Sequence, residues 1–108
     1  MSTAQDFRTI AMSLEGTAEA PHFDRCAFRV RRIYATLAAD GKSANLNFTP
    51  DEQEFKCMLA PDSFKPIENA WGRSGWTTVI LGKTSKAELR AALEMAWEHG
   101  RAKAARKR

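Results

Sequence analysis

Residues 26–40 read CAFRVRRIYATLAAD. Cys26, Phe28 and Val30 alternate with Ala27, Arg29 and Arg31, and after Arg32 the set Ile33, Ala35 and Leu37 alternates with Tyr34 and Thr36. Side chains of a strand point to opposite faces at successive residues, so a period of two in β-branched and aromatic residues predicts two strands. They turn near Arg31-Arg32, without the glycine or asparagine that a tight hairpin prefers. This pair decides the fold class, because the flanking segments attach to it as further strands or as helices.

Toward the C-terminus, ADGKS is a turn centred on Asp40-Gly41, and ANLNF is a third strand with Leu46 and Phe48 inward. TPDEQEFKCMLA starts a helix: Thr49 caps it, Pro50 suits its first position, and Thr49 and Glu52 have capping-box spacing. Phe55, Met58 and Leu59 are its expected buried stripe, and Pro61 ends it. FKPIENAW reads as a weaker strand, with Pro66 on an edge or at a bulge. GWTTVILGK is a strong strand, placing Trp76, Thr78 and Ile80 on one face and Thr77, Val79 and Leu81 on the other. SKAE repeats the capping-box pattern at Ser85 and Glu88. Leu89, Ala92, Leu93, Ala96 and Trp97 form the stripe of the last helix.

Toward the N-terminus, Phe7, Ile10, Ala11 and Leu14 share one face of a helix that Gly16 stops. TAEAPHFDR reads as a connector. The expected order is α-β-β-β-α-β-β-α. This is an α+β, two-layer sandwich, with a mainly antiparallel sheet and helices on one face.

A chain of 108 residues predicts one domain, taken as residues 1–100, followed by a basic tail at 101–108. The tail holds Arg101, Lys103, Arg106, Lys107 and Arg108. All thirteen acids precede it, against twelve lysines and arginines, so the body is close to neutral despite the formal charge of +4. No apolar run approaches a membrane span, and no basic-then-apolar leader opens the sequence; a cytoplasmic protein is expected. Cys26 and Cys57 lie far apart, and His22 and His99 are the two histidines. That excludes zinc spacing and a disulfide framework, and no metal or cofactor is expected. An acidic ridge on the first helix is also lacking, since only Asp6 and Glu15 stand there.

Three stretches could carry function. NAWGRSGWTTVIL (69–81) sets two tryptophans around a Gly-Arg-Ser-Gly turn. It reads either as a hairpin packing its own core, with Trp71 ending one strand, or as a loop offering Arg73 to an anion and Trp71 for stacking. DRCAFRVRR puts four arginines in eight residues, and Arg29, Arg31 and Arg32 could follow a phosphate backbone or pair with Glu15, Glu19 or Glu68. PHFD sets His22 beside Asp24, but no nucleophile accompanies it, so it reads as a loop histidine and the protein as no enzyme.

FRVRRIYATL (28–37) with AWGRSGWTTVIL (70–81), joined by the TPDEQEF helix, resembles the MmcQ/YjbR-like family over roughly Asp6 to Trp97. The most specific segment is WGRSGWT at Trp71–Thr77. Arg31-Arg32 stand where relatives commonly have Gly-Lys, and Gly75 stands where many have histidine. The resemblance implies a compact fold similar to frataxin-like and secretion-chaperone-like domains, and a DNA-binding role. On that reading Arg29, Arg31, Arg32 and Arg73 meet phosphates, Trp71 and Tyr34 stack on exposed bases, and the tail adds a cationic arm. The alternative is a chaperone-like adaptor that binds a protein partner on its sheet face.

Overall fold

A computed structural model of the chain describes residues 1–102. Its elements are α1 (Ala4–Ser13), β1 (Ala18–His22), β2 (Arg25–Arg29), β3 (Ile33–Leu37), β4 (Ser43–Asn47), α2 (Pro50–Leu59), β5 (Phe64–Pro66), α3 (Ala70–Arg73), β6 (Trp76–Ile80) and α4 (Lys86–Arg101). The six strands form one sheet in the order β1-β2-β3-β4-β6-β5, and every neighbouring pair is antiparallel. The α+β class, the antiparallel sheet and the one-sided helices are as the sequence predicts.

Register sorts the side chains. Cys26, Leu37, Ala44, Val79 and Phe64 lie in one cross-strand row, and Phe28, Ala35, Leu46 and Thr77 in another. These rows meet Phe7, Ile10, Ala11 and Leu14 of α1 and Leu89, Ala92, Leu93 and Ala96 of α4 in a single core. Each fully buried leucine or phenylalanine there contributes about 1.5–3 kcal/mol. The intervening row, Ala27, Thr36, Asn45, Thr78 and Lys65, faces away from the helices.

The expected capping boxes form at Thr49–Glu52 and Ser85–Glu88, and Thr3–Asp6 makes a third. Each satisfies two backbone N–H groups that a helix start leaves open.

Four details depart from the expected order. TAEAPHFDR is not a connector, because Ala18–His22 is an edge strand on β2. All five of its residues are exposed, so no buried alternation marks it. Pro21 is tolerated there because an edge strand leaves N–H positions unpaired. Second, FKPIENAW pairs only over Phe64–Pro66, and Trp71 sits on the four-residue helix α3 rather than at a strand end. Third, a register shift between Phe28 and Arg29 leaves Tyr34 without an opposite residue, and this bulge turns its ring into the core. Fourth, α2 is inverted. Phe55, Met58 and Leu59 are exposed, while Cys57 and Ala60 pack on the core and Gln53 donates to the Gly72 and Trp76 carbonyls at 2.9 Å each. Each of those carbonyls also accepts a backbone N–H, from Gly75 and Ile67, so Gln53 adds a second bond to each, and with Gln53 and Cys57 turned inward the apolar stripe faces outward.

The Trp71–Trp76 segment is a tight knot. Asn69 Oδ1 accepts from the Trp71 and Gly72 N–H groups, and Phe48 N–H donates to the Gly75 carbonyl. A Cβ on Gly72 would overlap the Ile67 carbonyl, and one on Gly75 would overlap that of Phe48. Gly75 also sits at φ +117°, a conformation that side chains rarely adopt. Gly75→Ala is expected to lower stability by at least about 3 kcal/mol, read by chemical denaturation.

The exposed strand β1 is tied to the helix layer by Arg8, whose Nε and Nη2 donate to the Glu19 carboxylate at 3.1 and 2.8 Å. The Arg8 hydrogen bonds hold the Glu19 carboxyl below its ordinary value. A depressed carboxyl stabilises the fold above its unfolded-state value, and that contribution is lost as pH falls through the folded one. Glu19→Gln should therefore melt below the wild type near neutral pH, and the gap should close in strong acid.

Candidate nucleic-acid interface

The sheet face away from the helices is segregated in charge. Alternation from the core rows puts His22, Arg25, Arg29 and Lys65 on it, and among the described residues no aspartate or glutamate occupies an outward strand position. Glu19, the one acid in a strand, points to the helix layer and its Arg8 partner.

A groove of about 310 Å³ crosses this face. At one end stand Trp71, Trp76, Asn69 and Ile67; the floor is Thr36 and Asn45; at the other end is the β1–β2 turn, with His22, Phe23, Asp24 and Arg25. Between β2 and β6 the groove spans three strand spacings, about 14 Å. Its floor is hydrogen-bonded: Thr78 Oγ1 donates to Asn45 Oδ1 at 2.9 Å, and Arg25 Nε donates to Thr36 Oγ1 at 2.8 Å.

Both rims carry exposed aromatics. Trp71 is 64% exposed and stands edge-on to Trp76, with ring centroids 6.3 Å apart. Phe23 is 94% exposed, in a two-residue loop between the paired His22 and Arg25. Its φ is +59°, making it the one non-glycine residue with positive φ among the described residues. Loops of this length favour glycine at that first position.

The predicted site residues divide. β2 ends, β3 begins and β6 begins at the same end of the sheet, so Arg29, Arg31 and Arg73 are brought to one end, all exposed, with Trp71. Arg29 Nη2 donates to the Arg31 carbonyl across a long 3.4 Å. None of these three arginines pairs with Glu15, Glu19 or Glu68 in an ion pair. Two others leave the set. Tyr34 is fully buried, shares a hydrogen bond of 3.0 Å with Thr17 and points its hydroxyl at the Ala11 carbonyl, so it cannot stack on a base. Arg32 donates from Nη2 to the His99 carbonyl at 2.6 Å, and its backbone N–H donates to the Gly100 carbonyl. It caps the C-terminus of α4, where the dipole favours a cation. Arg101 belongs to the last turn of α4, beside Glu98 and over the Trp97 ring at 4.4 Å. Lys103, Arg106, Lys107 and Arg108 lie outside the described residues. Sequence reasoning missed Phe23, Arg25, Thr36 and Asn45.

Burial pushes the Cys57 thiol up, away from thiolate. Among the described residues no group of three or more His, Cys, Asp or Glu could hold a metal ion, and no helix is long and apolar enough to cross a membrane.

A model of the YjbR family matches residues 12–99, most of the chain and all of the sheet. The chain belongs to the YjbR family. Two solved structures share the fold. A Deinococcus radiodurans protein with a DUF419 domain superposes with a TM-score of 0.73 at 24% identity, over 89% of this chain and 76% of that one. A Pseudomonas syringae protein superposes with a TM-score of 0.65 at 17% identity, over 90% of this chain and 97% of the other. No curated protein matches the chain significantly. Within this YjbR-family chain the structure assigns Arg32 to the fold rather than to the open face. Arg32→Ala should cost about 2 kcal/mol in denaturation experiments, since it removes a charged hydrogen bond to a helix end.

Proposed function

We propose that this protein is a non-catalytic nucleic-acid-binding domain whose open sheet face meets phosphates. The observation that carries this reading is the segregation of charge: a nearly neutral body keeps every outward strand position free of acids and displays Arg25 and Arg29 there. Arg31 and Arg73 extend that cationic surface at one end of the sheet. A phosphate backbone is attracted to such a face by release of its counterions, and arginine pairs with phosphate oxygens in a planar, two-pronged geometry. Membership in the YjbR family, which is associated with DNA binding, supports the same reading. The basic tail would add affinity without defining the site.

A protein-binding adaptor is the second reading, and a different surface favours it. The open face has a polar floor, whereas Phe55, Met58 and Leu59 form an exposed apolar stripe on α2. Substituting that stripe therefore gives a control that should leave nucleic-acid binding intact.

Fluorescence anisotropy with labelled single-stranded DNA across salt tests the proposal. The double variant Arg29→Ala, Arg31→Ala should bind more weakly, and its salt slope should fall by roughly 0.7 for each phosphate no longer neutralised. A chain ending at Ala102 should retain salt-dependent binding. Unchanged affinity in the double variant, or binding that vanishes with the tail alone, would sink the placement on the sheet.

A further inference from the structure

We infer that the groove on the open face holds one unstacked pyrimidine base of a single strand, and that it prefers a base with two carbonyls, thymine or uracil. The inference rests on the nucleic-acid reading above and adds to it what the groove selects.

Size comes first. A groove of about 310 Å³ is at the small end of ligand sites, which run from about 300 to 1,000 Å³. It suits one ring with its sugar rather than a folded peptide. Its rims lie too far apart to face one ring together, so the held base stacks on Trp71 and the next base of the strand on Phe23, both rings being mostly exposed. An aromatic side chain stacks on any base and strengthens binding to a strand whose bases are free. A duplex keeps its bases paired and offers no such ring.

The strain at Phe23 points the same way. A phenylalanine with φ +59° costs stability that glycine would not. Its ring makes one aromatic contact, edge-on to His22 at 4.8 Å, and is otherwise left to solvent. The fold gains little from this ring, whereas a stacked ligand would gain a face.

The floor sets the preference. Thr36 Oγ1 accepts from Arg25 Nε, so the threonine proton remains to be given. Asn45 Oδ1 accepts from Thr78, so the amide N–H groups remain to be given. Thr36 and Asn45 are partners on neighbouring strands, so their donors stand about 4.8 Å apart and fit two carbonyls set on either side of a ring N3–H. Thymine and uracil present two carbonyls, whereas cytosine replaces one with an amine donor that would face the Asn45 amide.

The test uses the full chain with oligothymidylate and oligocytidylate of equal length, at fixed salt. The first should bind about tenfold more tightly, the discrimination expected of a well-matched base edge. Phe23→Gly should melt no lower than the wild type yet lose affinity for oligothymidylate by about tenfold. Trp71→Ala should lose a similar factor. Asn45→Asp replaces donors with acceptors, so it should lower the ratio of thymine to cytosine binding, whatever its added charge does to both. Equal binding of the two strands, or equal binding of duplex, would overturn the base site while leaving the phosphate reading standing. Failure of every strand to bind would overturn both. Retention of tight, thymine-selective binding in Phe23→Gly and Trp71→Ala would overturn the groove as its location.

Discussion

The packing of α4 across the middle of the sheet is the contact on which the other features depend. Leu89, Ala92, Leu93 and Ala96 are fully buried against the central strands, and Gly100 continues the contact at the helix end. A Cβ on Gly100 would crowd the Tyr34 Cβ and the Val30 side chain. This close approach fixes the β2–β3 turn. Arg32 is drawn onto the helix C-terminus, Tyr34 is turned inward by the bulge, and Arg29 and Arg31 are left in solvent. With α1 and α2 on the same side, no helix among the described residues covers the opposite face. Its side chains must then be small, polar or charged, which is what the row Ala27, Thr36, Asn45, Thr78 and Lys65 provides.

Net charge conceals this arrangement. A sequence pI near 9.4 with five cations in the last ten residues assigns basicity to the tail and near-neutrality to the domain. Neutrality in total is compatible with opposite faces of opposite character. Asp6, Glu88, Glu94 and Glu98 lie on α1 and α4, and Asp51, Glu52 and Glu54 on α2. Acids at helix starts are favoured by the dipole and by capping, so they collect in the helix layer for local reasons. The outward strand positions are thereby free of acids, and Asp24 in the β1–β2 turn is the acid that lines the groove. At physiological salt, charges act over about 8 Å, so a ligand on the sheet face responds to the arginines there more than to the distant helix layer.

Much of the fold is legible in the sequence because the relevant signals are local. The period of two at Cys26–Leu37, the capping boxes at Thr49 and Ser85 and the stripe of α4 each need only neighbours in sequence. Three failures have the opposite cause. β1 is an edge strand exposed on both sides, so its residues show no alternation to read. AEAPH and RCAFR flank two residues as a hairpin would, but Phe23 occupies the position where glycine usually signals such a loop. The stripe of α2 reads as buried because Phe55, Met58 and Leu59 are apolar. Its true orientation depends on Gln53 reaching carbonyls 19 and 23 residues further along. Strict alternation places Tyr34 on the outer face, and a single bulge reverses it. The site suffers most, because Phe23, Thr36, Asn45 and Trp71 come from four separate segments that only the sheet register assembles.

The two glycines around Arg73 resolve the tryptophan segment in both of its senses. Gly72 and Gly75 are demanded by the Ile67 and Phe48 carbonyls, so the knot is structural. Trp71, held by the Asn69 cap above that knot, is nonetheless exposed, so the same rigidity presents an aromatic ring at a fixed place. Phe23 is its counterpart across the groove, held in a conformation that favours glycine. A side chain that packs poorly and strains its backbone is not explained by stability. The similarity to the Deinococcus and Pseudomonas structures reaches only the fold at these identities, and a fold does not define a ligand. Any ligand must therefore be argued from this chain's own residues on the open face: two exposed rings on opposite rims, a floor of hydrogen-bond donors between them, and arginines at outward strand positions. Each of these features is neutral or costly for an empty sheet, and the proposed strand, with phosphates outside and a planar base within, would use all of them.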